Sequence, residues 1–86
     1  MEKRIGVVGI VIENPEENAN KVQNILSQYS NIIYGRMGIP FKDKGLGVIS
    51  LIVEGTNDEI GALSGKLGRI NGVTVKATLT SKKIED

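Results

Sequence analysis

Ten residues near the start of the chain, RIGVVGIVIE from Arg4 to Glu13, are apolar on both of their alternating sets. Ile5, Val7 and Val11 fall on one side of an extended backbone, and Val8, Ile10 and Ile12 on the other. So dense a run of β-branched residues reads as a strand. A strand apolar on both sides belongs in the middle of a sheet that is covered, at least in part, on both faces. The rest of the chain must therefore supply neighbouring strands on either side and at least one covering layer.

The next segment, ENPEENANKVQNILSQYS, opens with a helix start. Asn14 is placed to cap, Pro15 suits the first helical position, and Glu17 lies three residues after the cap. Ala19, Val22, Ile25 or Leu26, and Tyr29 mark one helical face, while Lys21, Gln23, Asn24 and Gln28 face water. NIIYGRMGIP reads as a second strand, weakened by Gly35 and Gly38 and closed by Pro40, hence an edge strand. GLGVISLIVEG is a third, with Ile49, Leu51 and Val53 on one face and Val48 and Ile52 flanking Ser50 on the other. TNDEIGALSGKLGRING repeats the helix start, with Thr56 as cap, Glu59 three residues on, and Asp58 and Glu59 at the positive end of the helix dipole. Ile60, Leu63, Leu67 and Ile70 form its buried stripe, and Asn71-Gly72 supplies a left-handed stop. VTVKATLT alternates cleanly, with Val73, Val75, Ala77 and Leu79 inward. The polar tail, residues 81–86, is expected to fray.

The order is β-α-β-β-α-β, which predicts an α+β, ferredoxin-like sandwich: a four-stranded antiparallel sheet with two helices on one face. In that layout the first and third strands are central and the proline-closed second strand is an edge. The helix-free face would then expose an apolar band of Val8, Ile10, Ile12, Val48 and Ile52, or their opposite-parity partners, depending on register. On so small a domain such a band marks a self-association surface.

At 86 residues the chain fits one domain, residues 1–86, and barely feeds one core. Its net charge of +1 exerts no broad pull on nucleic acid or anionic membrane. It has no cysteine and no histidine, which removes thiol nucleophiles, disulfides, Cys/His zinc sites and the usual neutral-pH general base. No catalytic set, cofactor or metal is expected. The first apolar run is too short to span a membrane, and a cytoplasmic, non-enzymatic protein is the reading.

Several short motifs have the composition of chemical sites. GVVG, Gly6 to Gly9, lies inside a strand and lacks dinucleotide-loop spacing, so close packing explains it better. The first and third strands carry no aromatic residues on which RNA bases could stack. A glycine-rich phosphate loop of the acylphosphatase kind is replaced after the first strand by Glu13-Asn14-Pro15-Glu16-Glu17, which repels phosphate. Glu13, Glu16 and Glu17 could hold a hard cation, but helix capping and dipole roles account for them. Gly61 and Gly65 lie one helical turn apart, where another backbone or a ligand could approach closely. Lys66, Arg69 and Lys76 read as a solvated rim.

RMGIPFKDKGLG, Arg36 to Gly47, is basic and glycine-rich. Pro40 ends an edge strand, FKDK turns, and Asp43 dilutes Lys42 and Lys44, so a hairpin is favoured over an anion grip.

YGRMGIPF and GLGVISLIVEGTNDEIGALSGKLGRINGVTVK carry a resemblance that spans nearly the whole chain. The chain is similar to the iron-only hydrogenase system regulators, a family related to the ACT-like, metal-sensing C-terminal domain of the nickel-responsive repressor NikR. The resemblance implies an ACT-like regulatory domain that forms dimers or tetramers and serves in transcriptional control. NikR binds nickel through histidines and a cysteine, both missing here, so that metal site does not carry over. With the first strand placed within a few residues of Met1, no N-terminal ribbon-helix-helix is expected, nor is direct DNA binding.

The reading is thus an effector-sensing, homo-oligomeric regulator, its partner a small molecule or another protein. Its effector or interface positions are Glu13, Asn14, Arg36, Gly38, Lys42, Lys44, Gly61 and Gly65, with the effector itself expected at the oligomer interface near the first βα turn (Glu13, Asn14) and the 36–45 hairpin. The alternative is a direct nucleic-acid binder using Arg36, Lys42 and Lys44 together with Lys3 and Arg4.

Overall fold

Residues 2–80 and 82–85 are described by the computed structural model. The first strand, β1 (Glu2–Glu13), runs into helix α1 (Pro15–Gln28), and a short 3-10 turn at Ser30–Ile32 leads to β2 (Ile33–Phe41). A second such turn, Lys42–Lys44, closes the hairpin to β3 (Leu46–Gly55), followed by helix α2 (Asn57–Gly68), β4 (Val73–Leu79) and a two-residue β5 (Ile84–Glu85). The sheet order is β2-β3-β1-β4, with every pairing antiparallel. The doubly apolar strands β1 and β3 are indeed central, and the strand containing Pro40 is an edge, where its missing N–H costs no interior ladder bond.

The frayed tail needs correcting. Ile84 and Glu85 pair with Lys3 and Glu2 at the start of β1, and Lys83 forms an ion pair with Glu2 at 3.3 Å. Ser81 and Asp86 lie outside the described residues.

One face of the sheet is covered by both helices. Val8, Ile10 and Ile12 from β1 meet Ile49, Leu51 and Val53 from β3, with Val22 and Leu26 of α1 and Ile60, Leu63 and Leu67 of α2 packed over them. Burying this aliphatic set is the main stabilising term of the fold. Val8, Ile10 and Ile12 are therefore corrected from the oligomer-face band: they are the floor of the core. Val48 and Ile52 belong to the helix-free face, where the register sets Ile52 opposite Val7 and Val48 opposite Val11. The opposite-parity set, Ile5, Val7 and Val11, is the exposed one. Phe41, Ile39 and Met37 of β2 join this face through their pairing with Leu46, Val48 and Ser50. Ala77, expected inward, is exposed on the edge strand β4.

The two helix starts differ. Thr56 forms a full capping box: its hydroxyl accepts from the Glu59 N–H at 3.1 Å, and the Glu59 carboxylate accepts from the Thr56 N–H at 2.8 Å. Asn14 makes no side-chain cap and instead adopts the left-handed conformation, φ 49 and ψ 64. Its expected capping role is corrected, since that backbone turns the side chain away from the first-turn N–H groups. Gly61 and Gly65 also depart from expectation. A Cβ on either would meet nothing within 4 Å, so no cramped helix contact exists there.

Candidate functional site

Where β1 hands over to α1, three segments are tied together by backbone hydrogen bonds. The Glu13 N–H donates to the Gly72 carbonyl at 2.7 Å, and the Asn14 N–H donates to the Gly45 carbonyl at 3.1 Å. The amide Nδ2 of Asn18, a buried polar side chain, donates back to the Glu13 carbonyl at 2.8 Å. Gly72, with φ 86, passes so near that a Cβ would stand 3.0 Å from the Asn18 amide nitrogen. The β2–β3 hairpin and the α2–β4 turn are thus anchored to the start of α1.

Beside this junction a cleft of about 490 Å³ opens between the first turn of α1 and the hairpin. Asn14, Pro15, Glu16 and Glu17 line one wall, and Pro40, Lys42, Gly45 and Leu46 the other. Pro15 also stacks toward Gly47, where a Cβ would sit 3.5 Å from its ring. The helix end is a poor anion trap. Pro15 has no N–H, and the N–H groups of Glu17 and Asn18 already donate to the Asn14 carbonyl. Two carboxylates against one ammonium leave the cleft net acidic, and among the described residues none of Glu16, Glu17 and Lys42 forms an ion pair. Apolar walls with a few unpaired charges can orient a small polar molecule.

Of the anticipated positions, Asn14 and Lys42 line this cleft, and Glu13 contributes through its backbone. Lys44 lies exposed in the same hairpin turn without lining it. Arg36 lies elsewhere, on a shallower depression with Tyr34, where its guanidinium donates to the Gln23 side chain at 2.7 Å. Gly38 is in the middle of β2, and Gly61 and Gly65 are on the exposed side of α2. Pro40 and Gly45 belong to the 36–45 hairpin expected beside the first βα turn, while Pro15, Glu16, Glu17 and Leu46 are lining residues outside the expected positions. Their local roles as helix start and strand start are readable, but which of them line the cleft depends on how the hairpin folds back to Asn14.

The proposed basic surface for nucleic acid does not assemble. Lys3 and Arg4 are at one end of β1, while the hairpin turn lies near Glu13 at the other, since Leu46 pairs with Glu13 and Gly55 with Arg4. Nine residues of strand separate the two groups by about 30 Å. The Arg4 guanidinium donates to the Thr80 carbonyl at 3.0 Å.

Among the described residues, no three acidic side chains converge as a metal set. No helix is long and apolar enough to cross a membrane.

Comparison with known proteins agrees with this architecture. Residues 4–77 match the TM1266-like family model, whose description is that of an iron-only hydrogenase system regulator. The structure of protein TM1266 from Thermotoga maritima is 41% identical, covers 91% of this chain and 98% of its own, and superposes with a TM-score of 0.87. The ACT domain of GTP pyrophosphokinase from Chlorobium tepidum shares the fold at 18% identity, covering 93% and 89% of the two chains with a TM-score of 0.69. CPII, a nitrogen regulatory PII-like protein from Thiomonas intermedia K12, shares it at 11% identity, covering 95% of each chain with a TM-score of 0.55. Another structure of CPII contains ADP, AMP and bicarbonate. No curated protein sequence matches the chain.

Proposed function

Because this chain belongs to the TM1266-like family of iron-only hydrogenase system regulators, we propose that it is a non-enzymatic, effector-sensing domain that works as a homo-oligomer in the cytoplasm. The observation that carries the reading is the cleft at Asn14: its walls are held by backbone hydrogen bonds, and it presents unpaired charges without a nucleophile–base pair. A site of that kind binds and reports; it has no group to transfer.

The lining favours an effector with a cationic group for Glu16 and Glu17 and a short apolar portion for Pro15, Pro40 and Leu46. Lys42 would meet an acidic group on the same molecule. Occupancy would brace the hairpin against α1, and a partner protein would read that change in transcriptional control. The separation of Arg4 from Lys42 speaks against direct operator binding.

Native mass spectrometry of the purified chain, followed by thermal-shift screening of amine-bearing and nucleotide metabolites, tests the reading. A ligand that raises the melting temperature of the wild type, and not of Lys42→Ala or Glu16→Gln, supports it. A retarded nucleic-acid band that survives moderate salt, and is lost in Lys42→Ala with Lys44→Ala, would replace it.

A further inference from the structure

The open face of the sheet has relief. Gly9 pairs with Ser50 on one side and Lys76 on the other, so a row with almost no side chain crosses the two central strands. Two residues along the strands in either direction, about 7 Å away, stand aliphatic rows: Val7 beside Ile52, and Val11 beside Val48. Gly9 and Ser50 thus floor a trough between two ridges.

A glycine inside a central strand weakens it. Here the isolated chain does not require one. The nearest atom to a Cβ at Gly9 is the Lys76 carbonyl oxygen at 3.8 Å, and the backbone is not left-handed. Gly6, three residues earlier in the same strand, is the contrast, because its Cβ would collide with the Thr78 carbonyl and Leu79. The space above Gly9 is open to something outside the chain.

We propose that a second copy fills it, packed open face to open face about a two-fold axis that crosses the strands midway between trough and ridge. Such an axis reverses the order of rows along the strands. The Val7–Ile52 ridge of each copy then lies over the Gly9–Ser50 trough of the other, the self-complementary contact a two-fold dimer needs. The area is sufficient. Four strands about 4.8 Å apart, with roughly eight residues in common at about 3.3 Å each, make a face of about 500 Å². Two such faces bury about 1,000 Å², where specific interfaces begin. Charge also favours a like partner. By strand parity Lys3, Glu13, Glu54 and Lys76 belong to this face, two charges of each sign, which suits neither an anionic membrane nor a strongly charged protein. This proposal rests on the homo-oligomer reading above and names its surface; effector binding beside Lys42 does not depend on it.

Sedimentation velocity over rising concentration, with far-ultraviolet circular dichroism as a fold control, tests it on the full chain, Gly9→Ile and Ile52→Lys. The wild type should sediment as a dimer or a multiple of one, and each variant should dissociate at least about tenfold more readily. Gly9→Ile places a good strand former where there is room, so it should keep the fold while blocking the trough. If it does not fold, Ile52→Lys carries the test, since that side chain is 46% exposed. A monomer at every concentration overturns the proposal. So does a dimer that both variants leave intact, or a monomer that floats with phosphatidylglycerol vesicles. Effector-induced melting shifts measured on the variants would show whether the cleft reading stands or falls separately.

Discussion

The backbone N–H of Asn14 donates to the Gly45 carbonyl oxygen at 3.1 Å, and both residues are left-handed, with φ 49 and φ 67. One bond therefore joins two turns that each need an unusual backbone. Asn14 is the one non-glycine residue with positive φ among the described residues. Asparagine tolerates that region better than most side chains do.

Asn14→Ala should lower unfolding free energy by about 1 kcal/mol, and Asn14→Gly should leave it nearly unchanged. No side-chain hydrogen bond is lost in either, because Asn14 makes no cap. Equilibrium urea unfolding of the two variants checks this. Equal losses would mean that the side chain itself contributes.

Asn18→Ala should cost about 1–3 kcal/mol, since it removes a buried donor and leaves the Glu13 carbonyl short of a partner. Hydrogen exchange at the hairpin amides should rise with it if the junction holds the hairpin in place.

Thr56→Ala should cost about 1 kcal/mol through loss of the capping box. Amide exchange in the first turn of α2 would locate the loss.

Gly6→Ala and Gly61→Ala should move stability in opposite directions. The first forces a methyl group against the backbone of β4 and should cost about 1–3 kcal/mol. The second meets open space on an exposed helix face and should gain about 0.5–1 kcal/mol, as should Gly65→Ala. Thermal unfolding of the three variants reads both signs.

Much of the architecture is readable in particular residues. Valine and isoleucine on both sides of β1 require a central strand, Pro40 requires an edge, and the Thr56–Glu59 spacing is a helix start whose two hydrogen bonds both form. Asn14-Pro15-Glu16-Glu17 has the same grammar with a different outcome. Its local signal is a cap, yet Gly45 and Gly72 approach from distant parts of the chain and hold the backbone in a turn that a capping residue cannot adopt.

By itself, the amino-acid sequence determined the order of elements and which strands lie at the centre, because periodicity, proline and capping act over a few residues. It left open which side of β1 faces the helices, since Val8, Ile10 and Ile12 are as apolar as Ile5, Val7 and Val11. Only the tertiary structure decided that, through the register with β3 and the side on which α1 and α2 dock. The cleft was decided in the same way. Lys42 and Glu16 are far apart along the chain and line one cleft because the hairpin is bonded back to Asn14, through a long-range hydrogen bond that no local pattern encodes.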